Sequence, residues 1–272
     1  MNNTYQIYLI SDSTGETLDR IFLAIKAQFK NIDYKVHTFS FTRTENQIFK
    51  ILSDAEKDFN SIILYSIVDS DLAKYLANIS DEKKIPCFGV LGDLILSFSK
   101  LLNQEASHQP SGQHALNEEY YKRMEAITFT MAHDDGNLVK DISKADLILL
   151  GVSRTSKTPT SIYLANRGYK TVNIPLVLNQ SVPSELKSNK TSCIVGLVAD
   201  PERLSDIRRN RLAIMKEQNL KDYTDLDSIK KEVEDSKKLF KKYNWPIIDV
   251  TRKSVEETAA SIIKIYDIRK SR

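Results

Sequence analysis

Alternating strand and helix patterns along the whole chain predict an α/β protein built on mainly parallel sheets. Short apolar runs recur, among them Tyr5–Ile10 (YQIYLI), Ser61–Ser66 (SIILYS) and Cys193–Val198. Many lead through a polar turn into a segment whose apolar residues lie three or four apart, the spacing of a helix laid on a sheet. At 272 residues and 41% hydrophobic content, the chain can bury one or two cores of its own. The pattern restarts near residue 140, so two lobes are expected, 1–140 and 141–272, the second carrying a phosphate-binding loop.

In the first lobe, Tyr5–Ile10 is a strand, and Ser11-Asp12-Ser13-Thr14-Gly15-Glu16-Thr17 leads into a helix ending near Phe29. Val36–Phe41 is a second strand and Glu45–Ser53 a helix. Ser61–Ser66, a helix over Asp71–Ile79, a strand at Pro86–Val90 and a helix over Asp93–Asn103 follow. Gln104–Gln113 (QEASHQPSGQ) has the composition of a linker. Leu116–Met131 reads as a helix with Tyr120, Met124, Ile127 and Met131 on one stripe. His133-Asp134-Asp135-Gly136 is then a sharp polar turn.

The second lobe opens with strand Asp146–Leu150 and helix Thr160–Arg167, then strands Thr171–Ile174 and Cys193–Val198. A basic helix from Pro201 to about Met215, a charged helix Asp225–Tyr243, strand Pro246–Val250 and helix Ser254–Ile268 complete it. Ile229, Val233, Phe240 and Tyr243 give the charged helix one apolar side, so its lysines form a solvated face. No internal repeat or low-complexity tract is visible.

Composition narrows the class. A net charge of +3 is too small to imply nucleic acid, and no apolar stretch has transmembrane length. The first residues run straight into a strand without signal-peptide architecture. Cys87 and Cys193 lie far apart in apolar strands without metal-ligand spacing, as buried thiols of a reducing compartment. A cytoplasmic location is expected, with no membrane partner; homodimerisation is left open.

The chemistry concentrates at Gly151–Thr158 (GVSRTSKT). A buried strand, a tight polar turn ending in Lys-Thr and a helix opening near Pro159 have the layout of a P-loop, whose backbone N–H groups hold phosphate oxygens. Gly151, Val152, Ser153, Arg154, Thr155 and Ser156 would form the cradle. Lys157 would charge the terminal phosphates, and Thr158 would ligate Mg²⁺. Ser156 stands where the general motif has glycine. The bland reading is an ordinary strand-to-helix turn capped by Thr155 or Ser156.

Four further groups accompany it. Arg208 and Arg211 share one face of the basic helix, as forks for phosphate oxygens or as a solvated surface. Asp200 and Asp249 end strands where open sheets place their sites, and could hold Mg²⁺ or cap a turn. His133, Asp134 and Asp135 could supply a general base or metal ligand, or form a plain turn. Ser11–Thr17 is most simply a helix cap with a capping glutamate, an anion nest being the other reading.

Four long stretches occur together in one order: SDSTGET at Ser11–Thr17, RMEAITFTMAHDDG at Arg123–Gly136, ADLILLGVSRTSKTPTSIYLA at Ala145–Ala165 and PERLSDIRRNRL at Pro201–Leu212. The chain resembles the bacterial pyruvate, phosphate dikinase and phosphoenolpyruvate synthase regulatory proteins over nearly its full length. The resemblance implies a bifunctional serine/threonine protein kinase and phosphorylase. Such proteins phosphorylate a threonine of their target with ADP, inactivating it, and remove the group with inorganic phosphate, releasing pyrophosphate. The family's nucleotide-binding stretch falls on Gly151–Thr158, Ser156 included. The residues alone leave two rivals open: a small-molecule P-loop kinase and a nucleotide-sensing module without catalysis.

Overall fold

A computed structural model of the protein describes residues 4–112, 118–136, 139–177, 182–189, 191–215 and 221–271. Gln113 of the expected linker, Leu116 and Asn117 of the expected helix, and the first three residues lie outside these ranges. The chain divides into two compact units, Met1–Ala115 and Leu116–Arg272.

The first unit runs β1 (Tyr5–Ser11), α1 (Glu16–Lys26), β2 (Tyr34–Phe39), α2 (Glu45–Ala55), β3 (Ser61–Ser66), α3 (Ser70–Glu82), β4 (Cys87–Gly89) and α4 (Gly92–Leu102). Its four strands are parallel in the order β2-β1-β3-β4. Because side chains alternate along a strand, β1 serves two cores. Tyr8 and Ile10 pack with Ile48, Leu52 and Leu76 on one face, and Ile7 and Leu9 with Leu18 on the other.

The second unit begins with α5 (Glu118–Ala132) and short 3₁₀ turns at Asp134–Gly136 and Val139–Lys144. There follow β5 (Leu147–Gly151), α6 (Lys157–Asn166), β6 (Thr171–Pro175), α7 (Ser184–Ser188), β7 (Cys193–Val198), α8 (Pro201–Met215), α9 (Lys221–Thr224), α10 (Leu226–Lys242), β8 (Ile247–Asp249) and α11 (Val255–Lys270). The parallel sheet has the order β6-β5-β7-β8. Leu147 and Leu149 face Leu164 and Ile262, whereas Ile148 and Leu150 face Ile174 and Phe240. The apolar side of α10 is confirmed by buried Ile229, Val233 and Phe240.

The division falls earlier than the expected residue 140, because α5 belongs to the second unit. It packs on α6 and β6, and the Thr130 hydroxyl accepts the Thr171 N–H at 3.0 Å. The expected stripe on this helix is also corrected. Met131 is 71% exposed and Met124 exposed, while Ala126 and Thr130 are buried. Apolar spacing alone misjudged a helix whose inner face must sit close to α6 and therefore uses small residues.

The two sheets share one strand order, each with its second strand outside the first and its third on the other side. In such sheets the chain reverses direction of winding between the first and third strands, leaving a crevice at their carboxyl ends. The turn after β1 and the turn after β5 occupy those two places. Among the described residues, no helix is long and apolar enough to cross a membrane.

Candidate active site

The site in the second unit grows from the close packing of β5. A Cβ on Gly151 would stand 2.6 Å from both the Leu197 carbonyl oxygen of β7 and Thr155 Oγ1. Only glycine lets the strand turn while β7 stays this near. Gly151→Ala is therefore expected to destabilise the protein by about 1–3 kcal/mol, read as a lower midpoint in urea unfolding.

Beyond Gly151 the chain curls tightly. Thr155 is buried and donates to the Val152 carbonyl oxygen at 3.0 Å. Arg154 and Ser156 take left-handed backbone with φ 72° and 57°, and α6 starts at Lys157 with no side-chain cap. The helix thus opens two residues before Pro159, which still lies in the first turn, where N–H groups have no helical partner. The cap from Thr155 or Ser156 that the bland reading required is absent, so the helix end keeps its N–H dipoles for another acceptor.

Lys157 is 6% exposed, and its Nζ donates to the Val152 carbonyl oxygen at 3.0 Å. Burial pushes its pKa down to about 8, against the pull of Asp135 and Asp134; Arg208 and Arg154 depress it further. A lysine poised near neutrality inside a polar turn is a mark of function more than of stability.

The turn after α5 delivers the acids to the same place. Asp134 Oδ1 accepts from Thr158 Oγ1 at 3.2 Å and from Asn173 Nδ2 at 2.5 Å. Asn173 Nδ2 also donates to Thr158 Oγ1 at 2.9 Å. Asp135 is exposed and holds φ 53°, which aims the turn without a glycine. His133 is buried and stacks on Phe129, with ring centroids 4.0 Å apart. Its Nδ1 pairs with the Phe129 carbonyl oxygen at 2.7 Å, and its Nε2 has no partner. The HDDG turn is thus bonded to Thr158 through Asp134, and its two acids reach Lys157 through their field.

Thr158 and Asp134 offer the hard oxygens that Mg²⁺ takes. Among the described residues, no group of three or more His, Cys, Asp or Glu side chains is arranged to hold a metal. A Mg²⁺ between Thr158 and Asp134 would draw most of its shell from phosphate oxygens and water, as this ion ordinarily does.

Arg208 behaves differently from the expectation. Arg208 is fully buried, and its guanidinium bonds the carbonyl oxygens of Ser153 and Tyr223 at 3.3 and 3.1 Å and Glu232 Oε2 at 2.6 Å. It holds the turn from behind, rather than offering an open fork. Arg211 is exposed on α8. Tyr223 links Ser153, 2.9 Å from its hydroxyl, with Arg154 at 3.3 Å. Burial raises the Tyr223 pKa, but those bonds and the two guanidiniums outweigh it and the net shift is downward. The strand-end acids serve as caps: Asp200 accepts the N–H groups of Glu202 and Arg203, and Asp249 accepts the backbone N–H and the hydroxyl O–H of Thr251.

In the first unit, the turn after β1 lines a cavity of about 220 Å³ with Ser11, Asp12, Ser13, Thr17 and Ser111. Asp12 accepts the Val68 N–H at 2.7 Å; burial raises its carboxyl pKa, with Val68 and Arg43 opposing. The expected capping box is absent. Gly15, at φ 87°, is the cap residue of α1 and no side chain bonds the helix end. A cavity of about 630 Å³ in the second unit opens around Cys193 and Trp245 and shares no residue with the Lys157 turn.

A model of the kinase/pyrophosphorylase family matches residues 7–263. The chain belongs to this family. Its relatives agree over full length. A protein of Pelagibacter ubique is 72% identical over 272 residues, 100% of this chain and 99% of its own. One from Geotalea uraniireducens is 43% identical over 263 residues, 96% of this chain and 97% of its own. One from Bradyrhizobium diazoefficiens is 42% identical over 269 residues, 98% of this chain and 96% of its own. All three are provisionally named as pyruvate, phosphate dikinase regulatory proteins. A kinase-type enzyme is therefore the class of this kinase/pyrophosphorylase chain.

Three residues of the site were not singled out in the sequence: Asn173, Tyr223 and Glu232. Asn173 alone left a trace, as a polar side chain inside the apolar strand TVNIP, where burial demands a partner.

Proposed function

We propose that this chain regulates a pyruvate, phosphate dikinase by phosphorylating one of its threonines with ADP and by removing that group with inorganic phosphate. The observation that carries the reading is the buried Lys157 amine at the start of α6, with Asp134 and Thr158 bonded to each other beside it. The relatives' names favour the dikinase over phosphoenolpyruvate synthase as the protein substrate.

In the forward direction the threonine oxygen attacks the β-phosphorus of ADP and the bond to the α-phosphate oxygen breaks. AMP leaves, and the hydroxyl proton passes to a carboxylate, Asp134 being the one tied to Thr158. In the return direction an oxygen of inorganic phosphate attacks the phosphothreonine phosphorus. The threonine oxygen leaves and takes a proton, and pyrophosphate forms. Both directions need one phosphoryl group held in line and its charge offset, which Lys157 and the uncapped N–H groups of α6 supply. Mg²⁺ at Thr158 and Asp134 would add charge neutralisation on the phosphate oxygens.

The test is incubation of the protein with a purified dikinase and ADP labelled at the β-phosphate. Label on a dikinase threonine with AMP released supports the reading; label on a free metabolite with none on protein overturns it. Because one turn handles both donor and acceptor phosphates, ADP is expected to inhibit phosphate-dependent removal competitively. Steady-state inhibition patterns check this, and a non-competitive pattern would mean separate sites.

A further inference from the structure

Asn173 sits in the middle of β6 and is 1% exposed. Its neighbours Val172 and Ile174 are part of the core, so an apolar residue would be the ordinary occupant of this strand. Its two amide hydrogens are both used on the site, one on Asp134 Oδ1 and one on Thr158 Oγ1. Because Thr158 Oγ1 accepts from Asn173, its own hydrogen is left to point at Asp134 Oδ1, 3.2 Å away. The three side chains close a ring of hydrogen bonds with one arrangement of protons.

We propose that Asn173 is a positioning residue of phosphoryl transfer, fixing the direction of the Thr158 hydroxyl and the Asp134 carboxylate relative to each other. The inference rests on the kinase reading above. Two observations separate this role from plain packing. First, Asn173 Oδ1 is buried without a partner, as are His133 Nε2, Thr160 Oγ1 and Arg208 Nε. All the buried unpartnered side-chain atoms found among the described residues thus belong to the second unit, on the elements that build this site. Unmet polar groups in a core are costly and mark places kept for something other than stability. Second, β6 holds the HDDG turn through its main chain, Asn173 N–H donating to the His133 carbonyl oxygen at 3.3 Å. The turn therefore stays attached whatever side chain stands at 173.

Two variants test this. Asn173→Leu removes the amide and satisfies the apolar strand; Asn173→Asp keeps the shape and leaves at most one shared proton to donate where the amide gives two. Both are expected to lower kcat about a hundredfold in both directions, with KM for ADP and for the target changed less than about threefold. The thermal midpoint of Asn173→Leu is expected at or above the parent's. If that variant fails to fold, Asn173→Asp still decides. Parental kcat in Asn173→Asp, or a raised KM with parental kcat, overturns the inference. A parallel Lys157→Ala variant separates the two readings. Its loss of transfer beside fully active Asn173 variants overturns only the role of Asn173. Absence of any transfer by the parent protein overturns both.

Discussion

Lys157→Met is expected to be more stable than the natural protein at pH 7 and about a thousandfold slower in both directions. The two effects have one cause, an amine whose pKa falls from the usual 10.5 to about 8 when it is buried. One pKa unit corresponds to about 1.4 kcal/mol of difference between protonation states, so burying the charged lysine costs about 1–3 kcal/mol once its bond to the Val152 carbonyl is counted. Below pH 8 both folded and unfolded chains carry the proton, and the full cost is present. Between pH 8 and 10.5 the unfolded chain binds more protons than the folded one, so stability rises with pH. The advantage of methionine should therefore be largest at pH 7 and shrink toward pH 10. Urea unfolding at the two pH values measures it, and a less stable variant at pH 7 would show that the Val152 bond outweighs the burial cost. The rate falls because methionine brings no charge to the phosphoryl group in either direction. A folded variant with the parental rate removes Lys157 from the chemistry.

Most of the architecture could be read from the chain because it rests on local pattern. β3 and β7 occupy the expected Ser61–Ser66 and Cys193–Val198, where an apolar run of strand length is bounded by polar residues. The Gly151–Thr158 turn was legible for the same reason, since strand, turn and helix are contiguous. What could not be read depends on contacts between distant segments. Arg208 looks like a free phosphate fork in sequence, and only the fold shows it paired with Glu232 on α10 and gripping the Ser153 carbonyl. The assignment of α5 to the second unit rests on Thr130 meeting Thr171, 41 residues away. The shared strand order of the two sheets is a property of topology and needs no repeated residues to exist. Their turns differ in charge: where Lys157 opens α6, Glu16 opens α1.

Asp134→Asn should cost about a hundredfold or more in both directions, and Asp135→Asn less than about tenfold. The difference follows from placement. Asp134 is bonded to Thr158 and Asn173, at the end of the turn that meets α6. Asp135 is exposed and reaches Lys157 only through its field. Asparagine suits the left-handed backbone at 135 as well as aspartate does, so that variant should fold normally. At 134 the amide oxygen of asparagine can still accept from Asn173, which keeps the turn while removing the proton acceptor. Two causes of the loss can be told apart by pH. Both acids raise the Lys157 pKa against its burial, so removing the Asp134 charge lets that pKa fall further and the lysine lose its proton earlier as pH rises. A deficit in kcat/KM that deepens between pH 6.5 and 8.5 would place the role of Asp134 in keeping Lys157 charged. A deficit that stays constant over that range belongs to the missing base, and that is the outcome expected if Asp134 takes the threonine proton. A loss below about threefold at every pH would leave the HDDG turn a structural bridge between α5 and β6, and the proton would have to go elsewhere.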